Sequence, residues 1–364
     1  MTRIAILTPS ITTGDAVSND ALGMYGSLKR QGHDVRIYAE GWTFNEPQIR
    51  PALKLKQFIK HPADVLIYHY SRGWDFGLEL LKEANYRTAI KYHNVTPPEF
   101  FAAISPDFAR MCLKGREQLK DIAHADCDLY MSASAYNEQE LLREGVSPQK
   151  SYVVPPFHHI DRLHSIEPDL EVLDAYRDGQ TNILMVGRIA PHKGHAELIE
   201  AFAAYHHDYN RRSRLLIIGK EEKAFAAYST RLRELMAFLL TEESVFFTGE
   251  VTDSALKAYY LLGNVFAIAS QHEGFCVPLV EAMSMKIPIV AYASSAIPGT
   301  LDGAGILLNE RRPYLMAEAI DRLTRDESLN VAFGLRGWRR YEQHFTNERI
   351  EQELFAALSD LGEA

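Results

Sequence analysis

Two glutamates, Glu273 and Glu281, flank a stretch of the chain whose pattern suits phosphate binding. The apolar run 265–270 before them predicts a buried strand, and Pro278 stands where the first residue of a helix is expected. Glu273 then lies in the strand-to-helix loop, and Glu281 lies about one turn inside the helix. Because a helix begins with unpaired N–H groups and the positive end of its dipole, this junction can hold a phosphate. The two carboxylates can accept hydrogen bonds from sugar or ribose hydroxyls; a helix cap beside a solvated glutamate is the alternative.

A second stretch, Gly187 to Gly194, brings positive charge to the end of another predicted strand. Arg188 offers a planar fork of donors and Lys193 offers a compact point charge, a combination that suits a diphosphate. The alternative is a pair of surface cations that flank a turn. The position favours the functional interpretation, because ligands of open parallel sheets bind beyond the carboxyl ends of the strands.

Strand and helix patterns alternate along the chain, which is typical of doubly wound parallel sheets. The 364 residues exceed one ordinary hydrophobic core, and the weakly patterned region 155–180 is interpreted as a connection between domains. The sequence therefore predicts an α/β protein with two doubly wound Rossmann-like domains facing a cleft. They comprise residues 1–165 and 166–345, and a C-terminal helix at about 346–364 can pack back on the first. The predicted strands lie at 4–7, 35–38, 65–68, 88–92, 129–131, 152–154, 183–186, 215–218, 245–247, 265–269 and 287–290.

The composition is that of an ordinary soluble globular protein, with 46% hydrophobic and 24% charged residues. The formal net charge of -9 argues against a general nucleic-acid binder. The cysteines Cys112, Cys127 and Cys276 lack metal-site spacing and fit a reducing cytoplasm. The N-terminal apolar run is too short for a signal peptide, and no stretch approaches the ~20 apolar residues of a membrane span. We therefore expect a cytoplasmic protein.

Taken together, the two stretches resemble the retaining glycosyltransferases of family four, which have the GT-B fold. The matching positions are Gly187, Arg188, Lys193 and Gly194 in one element, and Glu273, Gly274, Phe275, Pro278 and Glu281 in the other. The resemblance implies transfer of a hexose from a nucleotide diphosphate sugar to a hydroxyl of a glycan or lipid-linked glycan, with retention of the anomeric configuration. GDP-mannose and bacterial surface-polysaccharide assembly are the favoured donor and setting, and UDP-glucose is a close rival. A nucleotide-sugar epimerase and a noncatalytic binding subunit of the same fold remain alternatives.

The resemblance also implies a role for each matched residue. Arg188 and Lys193 would neutralise the departing diphosphate, and Glu273 would hold the hydroxyls of the donor sugar. Glu281 would accept hydrogen bonds from the ribose. Backbone amides of the loop would cup the phosphates and residues after another strand would contact the base; these donor-binding positions are Gly274, Phe275, Cys276, Val277, Pro278, Leu279, Glu250 and Val251. The family usually has glycine where this chain has Cys276.

Two residues of the N-terminal half correspond to further positions of such enzymes. Gly14 lies in the loop that they bring over the donor phosphates and the acceptor. His93 directly follows a predicted strand and corresponds to a histidine placed beside the donor sugar. A neutral imidazole there can accept or relay a proton of the acceptor. A structural histidine at a strand end is the equal alternative.

A competing motif, Asp126-Cys127-Asp128, is typical of glycosyltransferases that bind a divalent metal and the diphosphate. It immediately precedes a predicted strand, whereas ligand sites of a doubly wound sheet lie at the opposite strand ends. Arg188 and Lys193 already supply positive charge. We therefore expect no metal and no other cofactor.

A basic run with interleaved apolar residues lies in the N-terminal half, at Arg50, Lys54, Lys56 and Lys60. It predicts a solvated helix face or, alternatively, a contact with anionic lipid head groups. The second interpretation suits an acceptor carried on a lipid and a protein peripheral to the inner face of the membrane.

Overall fold

The computed structural model describes residues 3–43 and 48–361, which divide into two compact units. The first unit comprises the chain up to Pro98, the segment Ala109–His159 and the chain from Thr346 onward. The second comprises Glu99–Phe108 and Ile160–Phe345. The positions 1–2, 44–47 and 362–364 of the expected domains lie outside the described residues.

The first unit is built on a parallel sheet of seven strands. Its central strand, Val65–Tyr70, is buried along its whole length, as is typical of parallel sheets with both faces covered. The strands are β1 (Arg3–Ile11), β2 (Asp34–Trp42), β3 (Ile49–Pro51), β4 (Val65–Tyr70), β5 (Arg87–Tyr92), β6 (Leu129–Ser132) and β7 (Ser151–Val153), in the order β3-β2-β1-β4-β5-β6-β7. The helices of the first half are α1 (Ala16–Arg30), α2 (Leu55–Phe58), α3 (Asp75–Lys82), α4 (Pro106–Ala123) and α5 (Ala135–Arg143).

The second unit is built on a parallel sheet of six strands. These are β8 (Thr181–Val186), β9 (Ser213–Ile218), β10 (Val245–Gly249), β11 (Val265–Ile268), β12 (Ile289–Tyr292) and β13 (Ile306–Leu308), in the order β10-β9-β8-β11-β12-β13. The helices are α6 (Ile160–Ser165), α7 (Leu170–Tyr176), α8 (His195–Asp208), α9 (Ala226–Phe238), α10 (Asp253–Leu262), α11 (Val277–Ser284), α12 (Ile297–Leu301), α13 (Pro313–Arg325) and α14 (Glu327–His344).

The last helix, α15 (Asn347–Ser359), belongs to the first unit. Its side chains Ile350, Leu354 and Ala357 are buried in the same hydrophobic core as strands β1 and β4. The preceding helix α14 stays with the second unit, where its Trp338 lies under the Lys286 ammonium at 4.9 Å. Of the two long C-terminal helices, only the last therefore completes the first core.

The eleven predicted strands are all present, which confirms the α/β class and the alternation read from the sequence. The short strands β3 and β13 were not predicted, since each has only three residues and no apolar alternation to mark it. The region 155–180, interpreted as a connection that can hold a short helix, contains the two short helices α6 and α7. The boundary between the units lies at Ile160 instead of residue 165, because Arg162 of α6 pairs with Asp253 of α10 at 2.8 Å.

Among the described residues, no helix combines the length and the apolar character that crossing a membrane requires.

Candidate functional site

The loop between β11 and α11 holds Glu273 in a buried network. Lys193 Nζ donates to both carboxylate oxygens, at 2.7 Å and 2.8 Å, and Ser270 Oγ donates to Oε1 at 2.7 Å. Only 7% of the Glu273 side chain and 16% of the Lys193 side chain are exposed. Removing either partner of this pair would therefore leave a buried charge without compensation.

The two motif loops approach each other at backbone distance, and this approach explains the glycine that follows Lys193. Gly194 has φ +67°, and a Cβ atom there would lie 2.0 Å from the carbonyl oxygen of Ala269. Next to it, the N–H of Gln271 donates to the carbonyl of His192 at 2.8 Å. The first motif therefore delivers Lys193 directly to the carboxylate of the second.

Helix α11 begins with an unusual cap. Its N-cap residue, Cys276, has φ 75° in the left-handed region, and no side chain caps the first turn. This conformation costs a non-glycine residue roughly 1–2 kcal/mol, which gives a physical reason for the glycine that the resembled family has here. Pro278 is the second helical residue rather than the first, so the sequence prediction was wrong by one position. Thr300 Oγ1 donates to the carbonyl of Phe275 at 2.9 Å and anchors the loop just before the helix.

Glu281 lies inside α11, as predicted, and is held by a tyrosine that the sequence analysis did not single out. Tyr260 Oη on α10 donates to Glu281 Oε2 at 2.6 Å. Burial raises the pKa of Glu281, and the hydrogen bond from Tyr260 partly offsets this shift. The second carboxylate oxygen, Oε1, is left for another donor such as a ligand hydroxyl.

The loops that follow β8, β9 and β10 lie side by side at one edge of the sheet. Gly219 N donates to Gly249 O at 3.0 Å, and a Cβ atom on Gly219 would lie 2.0 Å from Gly187 O. This contact requires the absence of a side chain at position 219. Arg188 and Glu250, which follow the first and third of these strands, are therefore brought to the same edge.

The charged groups at this edge are paired in the structure. Arg188 Nη1 donates to Glu222 Oε1 at 3.1 Å, with 42% of the Arg188 side chain exposed. Lys220 Nζ lies 3.7 Å from Glu250 Oε2, and both side chains are mostly exposed. Exposed pairs of this kind are weak, so an incoming phosphate can replace Glu222 as the partner of Arg188. Val251 follows Glu250 in the loop before α10.

The two candidates from the N-terminal half lie in the first unit. Gly14 has φ +72° in the turn between β1 and α1. His93 directly follows β5, and only 6% of its side chain is exposed. Its Nε2 lies 3.0 Å from His69 Nδ1 and 3.4 Å from Asp20 Oδ2. His93 is thus part of a buried cluster whose other members were not predicted.

The Asp126 and Asp128 carboxylates do not converge on a common point. Asp126 is 90% exposed and pairs with Lys150 at 2.7 Å. Asp128 Oδ2 accepts from Thr88 N at 2.7 Å, which joins the start of β6 to β5. Both residues precede β6, at the amino end of the strand.

Three residues that contact the predicted site residues were hard to predict from the sequence. Ser270 closes the apolar run of β11, and a polar residue at the end of a buried strand was the one available sign. Tyr260 occupies a buried position of α10 that looks like ordinary core, with 1% exposure. Glu222 lies in a charged loop that gives no indication of its pairing with Arg188.

Most of these site residues lie in a segment that matches a known family. Residues 174–339 match the family model described as glycosyl transferases group 1. The matched domain comprises 166 of the 364 residues, somewhat less than half of the chain. The domain contains Arg188, Lys193, Glu273 and Glu281, whereas Gly14 and His93 lie outside it.

Two curated relatives match part of the chain. It is similar to the capsular polysaccharide biosynthesis glycosyltransferase CapM of Staphylococcus aureus, with 30% identity over 172 residues that cover 46% of this chain and 43% of CapM. It is also similar to the serotype-specific mannosyltransferase WbdA of Escherichia coli, with 28% identity over 180 residues that cover 46% of this chain and 21% of WbdA. The chain thus spans less than half the length of either relative.

The fold of the group 1 domain and of the rest of the chain is shared with solved structures. HepE of Anabaena, determined in complex with UDP and glucose, is similar with a TM-score of 0.77 and 16% sequence identity, covering 99% of this chain and 100% of that chain. The chain therefore has the GT-B fold, as the sequence predicted.

Proposed function

We propose that this protein is a retaining glycosyltransferase that moves a hexose from a nucleotide diphosphate sugar to a hydroxyl of a glycan or lipid-linked glycan. The observation that carries the proposal is the buried network in which Lys193 donates to both oxygens of Glu273 beside the start of α11. A cation, a carboxylate and a helix N-terminus at one point suit a ligand that presents phosphates and hydroxyls together.

The proposed chemistry assigns one task to each group. The anomeric carbon exchanges its bond to the diphosphate oxygen for a bond to the acceptor oxygen on the same face, and the acceptor proton passes to the departing phosphate. Arg188 and Lys193 stabilise the negative charge that develops on that phosphate. Glu273 accepts hydrogen bonds from the donor sugar, and Glu281 accepts from the ribose through the oxygen that Tyr260 leaves free. Positioning and electrostatics then supply the catalysis without a metal ion.

The proposed donor is GDP-mannose and the proposed setting is polysaccharide assembly. The named activity of WbdA, a mannosyltransferase, supports the sugar, and that of CapM, in capsular polysaccharide biosynthesis, supports the setting. The proposed acceptor is a hydroxyl of a glycan or lipid-linked glycan.

A thermal-shift panel of GDP, UDP, ADP and their common sugars, each with and without EDTA, tests the proposal. A ligand that binds only the folded state stabilises it and so raises the melting temperature. At a ligand concentration of 100 times Kd, the free energy of unfolding increases by about 2.7 kcal/mol. We expect GDP and GDP-mannose to stand out, with shifts that EDTA does not change. A flat response to every nucleotide would refute the glycosyltransferase proposal, and a response to UDP compounds alone would refute the proposed donor. Proton NMR of the first product formed reports whether the anomeric configuration is retained.

We also propose a peripheral contact with anionic lipid head groups through Arg50, Lys54, Lys56 and Lys60. Leu53 supports it, since this residue lies among the four cations and is 81% exposed. Lys and Arg near an anionic surface each contribute about 1 kcal/mol. Flotation with anionic vesicles tests the contact: the wild type should float and a Lys54→Glu, Lys60→Glu variant should not. Equal flotation of both proteins would refute it.

A further inference from the structure

A buried cluster in the first unit joins one carboxylate, one ammonium and two imidazoles. Asp20 Oδ2 lies 3.4 Å from His93 Nε2, 3.8 Å from His69 Nδ1 and 3.7 Å from Lys91 Nζ. Asp20, His69 and Lys91 have no exposed side-chain surface, and the His93 side chain is 6% exposed. Removing ionisable groups from water costs several kcal/mol for each ion, and pairing often only balances that cost. A role in function would explain why four such groups are buried together.

The charges in the cluster follow from its contacts. Lys91 Nζ donates to the carbonyls of Val154 and Pro155 and, as a cation, balances an ionised Asp20. Burial lowers the pKa of His69 to about 3 and holds the pKa of His93 well below its usual value, so both rings are neutral near pH 7. Glu353 on α15 also acts on Lys91, and burial raises the pKa of this carboxyl.

The positions of the protons can be worked out from these contacts. Asp20 Oδ1 accepts from Phe157 N at 2.8 Å, whereas Asp20 Oδ2 is buried and makes no hydrogen bond of normal geometry with the described residues, although His93 Nε2 lies 3.4 Å away. His69 Nδ1 and His93 Nε2 are 3.0 Å apart, so one of them carries the proton between the rings. A proton on His69 would leave the Asp20 carboxylate facing a bare His93 nitrogen at 3.4 Å. A proton on His93 Nε2 places the His69 proton on Nε2, a buried atom without a partner among the described residues. It also gives the ionised Asp20 carboxylate a donor at 3.4 Å instead of a bare nitrogen, and this attraction to a full charge favours it whenever Asp20 is ionised.

We propose that Asp20, together with His69, is a positioning residue that fixes His93 in the tautomer with its proton on Nε2. The other ring nitrogen, His93 Nδ1, is then an acceptor that receives a hydrogen bond from a substrate hydroxyl. The identity of the substrate in this assignment rests on the proposed function. The tautomer of His93 does not depend on that function and can be measured by itself. The arrangement uses the carboxylate to orient an imidazole, as in carboxylate–histidine pairs of other enzymes.

A metal ion is the competing occupant of the cluster. The ligand-type atoms of Asp20, His69 and His93 all lie within 4.8 Å of one another, close enough to surround an ion. A divalent ion would, however, set three positive charges, with Lys91, against the single negative charge of Asp20. In a buried site this imbalance is unfavourable, so the hydrogen-bonded arrangement is the one the contacts favour.

NMR of the full-length chain labelled with ¹⁵N-histidine tests the tautomer directly, because long-range proton–nitrogen correlations distinguish protonated from bare ring nitrogens. We expect the wild type at pH 7.5 to carry the His93 proton on Nε2. In Asp20→Asn the side-chain amide can donate to Nε2, so the proton should move to Nδ1 and kcat should fall by about 100-fold, as for a misplaced catalytic group. The KM for the donor should change less than kcat.

Asp64→Asn is the matched control. Asp64 is another buried carboxylate of the first unit, where Oδ2 accepts from the N–H groups of Lys60 and His61 and does not take part in the cluster. This variant should leave both the His93 tautomer and kcat unchanged. If Asp20→Asn does not fold, titration of the wild type replaces it: the His93 nitrogen signals should change as Asp20 gains its proton near pH 6.

Three outcomes would overturn the inference. The first is an unchanged His93 tautomer in folded Asp20→Asn, or no change of the His93 signals in the wild-type titration. The second is an equal loss of activity in Asp20→Asn and Asp64→Asn, which indicates a purely structural effect. The third is one equivalent of tightly bound metal, found by elemental analysis of the purified protein. Failure of the proposed function is recognised separately, by the absence of any nucleotide shift in a protein whose His93 tautomer is as expected.

Discussion

The buried pair of Lys193 and Glu273 can be tested with a double-mutant cycle that separates stability from catalysis. Lys193→Met removes the cation and leaves the Glu273 carboxylate, 7% exposed, without its bidentate partner. Removing one partner of a buried ion pair lowers the free energy of unfolding by about 3–5 kcal/mol. Because 16% of the Lys193 side chain is exposed, we expect the lower end of this range, about 3 kcal/mol. For a unit of this size the melting temperature should fall by roughly 6–12 °C.

The double variant, Lys193→Met with Glu273→Gln, should regain most of this stability. Without the cation and the anion, no buried charge is left unpaired, and replacing a buried ion pair as a whole is often neutral. Activity should not return, because the groups assigned to the phosphate and to the sugar are both absent. We expect kcat in the single and double variants to be at least about 100-fold below the wild type. Urea unfolding and initial rates with GDP-mannose supply the two measurements.

Arg233→Met is the control for removing a cation from the same unit. Arg233 pairs with Glu221 at 2.6 Å, but 53% and 32% of the two side chains are exposed. Such a pair contributes about 0–1 kcal/mol, so stability and kcat should both stay close to the wild type. Recovery of activity together with stability in the double variant would refute the reasoning, since Lys193 and Glu273 would then serve the fold alone.

Three further predictions concern single side chains. Tyr260→Phe removes the 2.6 Å donor of Glu281, which should cost about 1–2 kcal/mol of stability, raise the pKa of Glu281 further and weaken GDP binding in calorimetry; unchanged binding would contradict the role given to Glu281. Asp20 has its pKa raised from 3.8 to about 6 by burial, so the unfolded chain loses this proton first and the contribution of Asp20 to stability falls as pH rises between these values. When unfolding free energies from urea titrations at pH 4 and pH 7 are compared, the stability of Asp20→Asn relative to the wild type should rise by about 2 kcal/mol, and a constant difference would contradict this. Asp126→Ala should keep wild-type kcat with and without EDTA, because Asp126 is 90% exposed and pairs with Lys150 at the amino end of its strand; a large loss in the folded variant would overturn the metal-free proposal.

The parts of the fold that the sequence predicted are those with a strong local pattern. Short apolar runs such as Val65–Tyr70 are buried on both faces, and their length of six residues distinguishes them from the longer amphipathic helices between them. Strand β3 (Ile49–Pro51) escaped this logic, because it pairs with β2 through the backbone and has only one buried side chain. Helix α15 belongs to the first unit through contacts with residues far away in the sequence. Local patterns do not reveal such contacts, so the sequence analysis gave this packing as an option.

The candidate site divides in the same way. Lys193 and Glu273 were found because each follows a strand, and parallel strands bring their carboxyl ends to one edge. Their direct contact follows from the glycine at position 194, whose close approach to Ala269 is a property of the folded backbone. Tyr260 could not be predicted as a partner of Glu281, since a buried tyrosine on a helix is usually core. The same holds for Asp20, whose position in α1 gives no sign of the distant His93.

The placement of α15 has a consequence for how the chain is made. The first unit needs Ile350, Leu354 and Ala357 for its core, although the sheet they cover is complete at Val153. During translation, at 5–20 residues per second, about 10–40 s separate the emergence of that sheet from the emergence of these side chains. The strands of the second unit emerge during this interval, the last of them ending at Leu308, so that unit has its complete sheet before α15 appears and can fold first. A nascent chain stalled before α15 should therefore expose apolar surface on the first unit only, and a chaperone that binds such surface would meet this protein there.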